Sequence, residues 1–265
     1  RLVPFRPDLD DLMLQEASHY RFGDLVVDSS IKKRLERVAR EFREQDKLRK
    51  HGLRNRRKLL LAGPPGTGKT MTANTLATQL SLPFYTVLMD KLVTKYMGET
   101  GAKLRLVFDF IEGERGVYLF DEFDAIGAER GLSNDVGEMR RVLNAFLQFI
   151  ERDVSDSLII AAINNVKLLD QALFRRFDDV LHYDLPTKDQ REHLIDNRLG
   201  AFKPAGLNVA AAAEKAGGLS HAEIAQACDD AIKEAILADN TDVSDELLIA
   251  MLAERSSAYG PKSGG

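Results

Sequence analysis

The sequence predicts an α/β fold, a five-stranded parallel sheet covered by helices on both faces and followed by a small all-helical domain. Three observations carry that expectation. Short, near-continuous apolar runs alternate with helical patterns as far as Leu185, which is how strands buried on both faces read. A glycine-rich turn, Gly63-Pro64-Pro65-Gly66-Thr67-Gly68-Lys69-Thr70, joins the first of those runs to a helix. Beyond Leu185-Pro186 the apolar runs stop, and the remainder of the chain reads as helix.

Residues 1–21 read as a peripheral linker segment, with Leu9 to His19 (LDDLMLQEASH) a short helix leading from an N-terminal part. The opening on Arg1 rather than Met fits an excerpt of a longer protein. Ser29 or Ser30 caps a helix with Ile31, Leu35, Val38 and Phe42 on one face, and Gly52 can end it. The five predicted strands are Lys58–Ala62, Pro83–Leu88, Val117–Phe120, Ser157–Ile163 and Asp179–Asp184. The helices between them start at Met71, Thr100 and Val136. The large domain then spans residues 22–185, a helical lid residues 186–257 and a flexible tail residues 258–265. Helices are expected near Lys188–Phe202, Val209–Ala216, Ser220–Asp239 and Ser244–Glu254.

Composition narrows the class. At 265 residues, 44% hydrophobic and 29% charged, the chain can bury a full core. No apolar run approaches the ~20 residues that span a bilayer, and Cys228, the single cysteine, excludes an internal disulfide. The expectation is a cytoplasmic protein without membrane partners. Net charge is −4 but uneven: Ile31 to Lys58 holds 13 Lys/Arg against 4 Asp/Glu, a local +9 that leaves −13 elsewhere. With Phe42 the sole Phe, Tyr or Trp among those charges, and that one on the helix's apolar face, a solvated or subunit-contacting face is favoured over a nucleic-acid patch.

The glycine turn fits G-x-x-x-x-G-K-[ST] with a strand before it and a helix after it. Glycines let backbone N–H groups approach phosphate oxygens, and the helix N-terminus favours their charge. Lys69 then reaches the β- and γ-phosphates of a nucleoside triphosphate, and the Thr70 hydroxyl holds Mg²⁺. Downstream, the buried run Val117–Phe120 ends in Asp121-Glu122. An acid at that strand end can hold the Mg²⁺ shell, and Glu122 is placed to orient and deprotonate an attacking water.

GPPGTGKT, LFDEFDAIG (Leu119 to Gly127) and AAINNVKLLDQALFRRFD (Ala161 to Asp178) together resemble the AAA branch of the AAA+ ATPases, in the manner of a single-module, bacterial-type protein-remodelling ATPase. The resemblance covers about Phe22 to Glu254. It implies ATP and Mg²⁺ as cofactors and a ring of identical subunits, usually a hexamer, with ATP between neighbours. Pro65, Gly66, Thr67, Gly68, Lys69, Thr70, Met71 and Asp121 would bind the nucleotide, with Thr70 and Asp121 on the metal. Asn164, or alternatively Asn165, takes the position that orders the attacking water beside Glu122. Arg175 and Arg176 match the paired arginines that reach a neighbour's site. Gly218–Ile224 is similar to the family's adenine and ribose segment, with His221 and Ala222 against the base and His221 standing where a glycine is usual. Phe22–Val27 is the corresponding adenine-side segment and departs from the family's usual pattern.

Lys95-Tyr96-Met97-Gly98-Glu99 looks like the pore loop of AAA protein remodellers. Tyr96 and Met97 on a glycine hinge can grip unfolded backbone by apolar contact without reading sequence. Two functional classes emerge: a hexameric motor that unfolds or disassembles protein substrates, and a nucleotide-switched assembly factor on nucleic acid. The pore-loop motif favours the first. An inactive scaffold is disfavoured because Lys69, Thr70, Asp121 and Glu122 are all present. No HExxH motif occurs, so a protease or adaptor partner would be a separate chain.

Overall fold

The structure is a computed structural model that describes Leu9 and residues 11–92, 97–122, 135–165 and 174–258. The chain divides into two compact units. The first holds Arg1–Leu25, Ser29–Gly63 and Lys69–His182; the second holds Val26–Asp28, Pro64–Gly68 and Tyr183–Gly265.

The first unit is built on a six-stranded sheet of β1 (Met13–Glu16), β2 (Lys58–Ala62), β3 (Phe84–Val87), β4 (Val117–Phe120), β5 (Leu158–Ile163) and β6 (Asp179–His182), in the order β1-β3-β4-β5-β2-β6. The five expected strands are present and mutually parallel. Every residue of β4 and β5 is buried, as is β2 from Leu59 on, so both faces of the central strands are covered. The sixth strand corrects the N-terminal reading. Met13–Glu16 is not helical but pairs antiparallel with β3, Met13 opposite Val87 and Glu16 opposite Phe84. Nor is the segment peripheral, since Leu9, Leu12 and Met13 belong to the core. Leu9, Leu12 and Met13 have helical spacing, but the open edge of β3 offers the backbone partners that a short isolated helix lacks.

Six helices are described in this unit: α1 (Ser29–Arg43), α2 (Gln45–Lys50), α3 (Lys69–Leu80), α4 (Met89–Leu92), α5 (Met97–Gly113) and α6 (Asp135–Arg152). In α1 the buried stripe is Ile31, Leu35, Val38, Ala39 and Phe42, the 3.6-residue period of one face. The helix breaks at Glu44, and Gly52, at φ 73°, follows α2. Much of the basic charge here is used inside the chain. Arg34 binds Asp179 and donates 2.7 Å to the Val180 carbonyl, tying α1 to the edge strand β6. Arg56 pairs with Glu41. Arg57 pairs with Asp153, with the two side chains 10% and 0% exposed.

An aromatic cluster backs the carboxyl end of β4. Phe120 meets Phe146 with ring centroids 4.8 Å apart, and Phe108 stacks on Phe149 at 5.2 Å. The residue next after this wall is Asp121.

The second unit is helical: α7 (Lys188–Leu199), a 3₁₀ turn (Gly200–Phe202), α8 (Val209–Lys215), α9 (His221–Leu237) and α10 (Asp245–Ala258). Its core interleaves Ile195, Leu199, Leu248 and Leu252 with small residues of α9: Ala227, Cys228, Ala231 and Ala235. Cys228 acts as a small apolar filler, and burial pushes its thiol up to about 12. Capping boxes start α7, at Thr187 with Gln190, and α9, at Ser220 with Glu223.

Candidate functional site

Parallel strands deliver their carboxyl ends to one sheet edge, and the order β4-β5-β2 makes three of those ends neighbours. Ala62 lies opposite Ile163 and Phe120 opposite Ala161. The next residues along β2 and β5, Gly63 and Asn164, therefore emerge side by side, and Asp121 leaves the adjoining strand β4 opposite Ala162, at the same sheet edge. The Gly63 amide donates 3.1 Å to the Ile163 carbonyl and locks the start of the loop onto β5.

Around that edge, in the first unit, polar groups gather on buried supports. Lys69 is 5% exposed. Its ammonium donates 2.7 Å to the Gly63 carbonyl and 2.9 Å to Asn164 Oδ1. The Thr70 hydroxyl, at the N-terminus of α3, donates 2.6 Å to Asp121 Oδ2. Glu122 comes next in a left-handed backbone conformation, φ 50°, its amide held 2.8 Å from Asp121 Oδ1. A non-glycine residue in that region costs about 1–3 kcal/mol. A cation, a helix N-terminus, a hydroxyl–carboxylate pair and a second carboxylate residue thus share one edge. That set fits a phosphate chain with a divalent cation: Lys69 and the α3 amides for phosphate oxygens, Thr70 and Asp121 for the metal. Among the described residues no cluster of three His, Cys, Asp or Glu side chains occurs.

The second unit contains the middle of the glycine loop. Gly66, at φ 72°, cannot be replaced without strain, and a Cβ there would come 2.6 Å from Ser220 Oγ. Its carbonyl accepts from the Ala222 amide at 3.0 Å. Thr67 closes the loop on itself, its hydroxyl donating 2.8 Å to the Pro64 carbonyl. Both ring nitrogens of His221 are buried, and neither makes a well-formed hydrogen bond among the described residues. Burial holds the imidazole below its usual range, and the Val26 backbone works against that shift.

Comparison with known proteins agrees with this geometry. The family model described as ATPase family associated with various cellular activities (AAA) matches residues 59–185. An uncharacterized AAA family ATPase, y4kL, of Sinorhizobium fredii is 37% identical over 240 residues, 89% of this chain and 71% of that protein. The chain belongs to the AAA family of ATPases. It hydrolyses ATP. Other relatives are longer. The ATP-dependent zinc metalloprotease FtsH 2 of Sorangium cellulosum is 32% identical over 79% of this chain, which spans 36% of that protein. The peroxisomal ATPase PEX6 of Saccharomyces cerevisiae is 37% identical over 53% of this chain, 14% of its own length.

Within this ATPase, Asp121, Glu122, Thr70, Lys69 and Asn164 are brought together, and Asn164 receives the Lys69 ammonium. Pro65 is exposed, whereas Met71 is half-buried on the first turn of α3. The paired arginines differ. Arg176 binds Glu151 of its own chain at 3.1 Å, while Arg175 is exposed. Asp178 accepts the Arg57 and Lys58 amides at 2.9 Å. Tyr96 lies outside the described residues, as does the side chain of Met97, whose backbone begins α5. Sequence reasoning missed Asn74, buried on α3 among Thr72, Ala73, Thr75, Leu76 and Ala77. An amide in the apolar interior of a helix, where its propensity is poor, was the available signal. No described helix is long and apolar enough to cross a membrane.

Proposed function

We propose that this ATPase is a motor that unfolds or disassembles protein substrates, working as a hexameric ring with ATP between neighbours. The observation that carries the chemistry is the Lys69–Asn164 and Thr70–Asp121 pairing around the strained Glu122. Lys69 and the loop amides of Pro65 to Met71 bind the phosphates, and Phe22–Val27 with His221 and Ala222 forms the base side. Mg²⁺ held by Thr70 and Asp121 would neutralise phosphate charge. Glu122 orients the attacking water and accepts its proton, with Asn164 fixing the other side of that water. Arg175 is the arginine offered to a neighbour's γ-phosphate, since its exposed guanidinium suits action in trans. Arg176, tied to Glu151, supports the segment that presents it.

The Lys95–Glu99 motif supports threading, as do relatives named as an ATP-dependent protease and a peroxisomal ATPase. A nucleic-acid role loses ground because Arg34, Arg40, Lys47, Arg49, Arg56 and Arg57 all pair with carboxylates of the same chain. The substrate is a protein, presented directly or through a separate adaptor or protease.

Tyr96→Ala tests the proposal. ATPase turnover and melting temperature should stay near the parent's while unfolding of a tagged substrate collapses, and Tyr96→Phe should be mild because grip needs ring area. A stable Tyr96→Ala protein that unfolds substrate at the parent rate would end the threading reading. A joint loss of stability and ATPase would make Tyr96 a packing residue.

A further inference from the structure

The carboxamide of Asn74 is 6% exposed, five residues beyond Lys69 on the same helix, and it holds backbone far away in sequence. Its Oδ1 accepts the amides of His19 at 3.1 Å and Tyr20 at 3.3 Å, and its Nδ2 donates 3.0 Å to the Ala17 carbonyl. Two amides on the oxygen and one carbonyl on the nitrogen fix the amide's orientation, and a carboxamide alone among short side chains offers both faces. Residues 17–20 form no regular structure of their own, and Asn74 supplies the bonds to these three backbone groups. Immediately after them the chain closes a turn, with Arg21 N donating to Asp24 Oδ2 at 2.8 Å and Asp24 N to the Arg21 carbonyl at 3.0 Å. Leu25 and Val26 then enter buried positions.

We infer that Asn74 is a positioning residue through which the phosphate-loop helix sets Phe22–Val27 and so governs affinity for the nucleoside half of ATP. The inference rests on the proposed base-side role of that segment. It ties the helix that starts at the phosphates to the chain that would meet the base, so one rigid element aligns both ends of the ligand.

The test compares ATP with inorganic tripolyphosphate, which has no base, on the full chain and on Asn74→Ala. The variant should raise Kd and KM for ATP about tenfold, a loss on the scale of one or two hydrogen bonds, with kcat at saturation changed far less. Tripolyphosphate affinity should stay within about twofold of the parent. Hydrogen exchange at the His19 and Tyr20 amides should accelerate. Faster exchange with unchanged ATP affinity would overturn the inference, as would equal weakening of both ligands, which would mean the helix itself had moved. Should Asn74→Ala fail to fold, Asn74→Asp keeps the acceptor for both amides while setting a carboxylate against the Ala17 carbonyl, and an intermediate ATP-selective loss is expected. A parent that binds tripolyphosphate as tightly as ATP would instead refute the base-side role, before any variant is compared.

Discussion

Glu122 and Lys69 share one sheet edge but are held there by different means, and this separates what each contributes. Lys69 is buried, its ammonium tied to Gly63 and Asn164, so removing it strips positive charge from the place where phosphates would lie. Glu122 is held by its backbone, through the left-handed φ and the bond to Asp121. Glu122→Gln should therefore keep nucleotide binding and lose turnover by about 100-fold or more, the scale of general-base catalysis. Lys69→Ala should lose binding itself. Equal losses of nucleotide affinity in the two variants, measured by titration with a fluorescent ATP analogue, would remove Glu122 from the role of base.

At the scale of elements, the sheet's rim opposite the site is fastened by ions. Arg57, just before β2, reaches Asp153, just after α6, and both are nearly excluded from water. Asp153 also accepts the Ser155 amide at 3.3 Å, shaping the turn into β5. Breaking a buried pair from one side leaves the other charge stranded, so Asp153→Ala should cost about 3–5 kcal/mol in urea unfolding. The paired replacement Arg57→Met with Asp153→Leu should recover much of that, because two apolar groups demand no solvation. A single variant within about 1 kcal/mol of the parent would mean that water reaches this pair. Elsewhere in the basic stretch around α1 and α2, Arg34 and Arg56 also pair with carboxylates of the same chain, while the pairs of Arg40 and Lys47 stay at the surface.

At the scale of the whole molecule, the exposed Arg175 beside the bound Arg176 bears on assembly. If Arg175 serves a neighbour's site, specific ATPase activity should rise with protein concentration as subunits associate. Arg175→Ala should then depress turnover more than Arg176→Ala does. Mixing Arg175→Ala subunits with Glu122→Gln subunits should restore part of the activity, since an intact Glu122 would then meet an intact Arg175 across some interfaces. No recovery on mixing, with co-assembly verified by light scattering, would count against action in trans.

What the sequence determined on its own is what depends on neighbours along the chain. The continuous apolar runs at Lys58–Ala62, Val117–Phe120 and Leu158–Ile163 could only be strands covered on both faces, and the strand, glycine turn and helix around Gly63–Thr70 succeed one another directly. Helix α1 was legible from the apolar stripe Ile31, Leu35, Val38 and Phe42, to which the fold adds Ala39, and the start of α9 from Ser220 with Glu223 three residues on. The tertiary structure decided whatever needed a distant partner. Leu9, Leu12 and Met13 satisfy a helical period, yet the unpaired edge of β3 claims Met13–Glu16 as a strand, because hydrogen-bonding demand at an open edge outweighs weak local propensity. The pairing of Arg176 with Glu151 and the hold of Asn74 on residues 17–20 both join positions far apart in sequence. Local pattern carries no information about such meetings. They arise from the strand order β4-β5-β2 and the packing of α3 on the sheet, where long-range burial selects the partners.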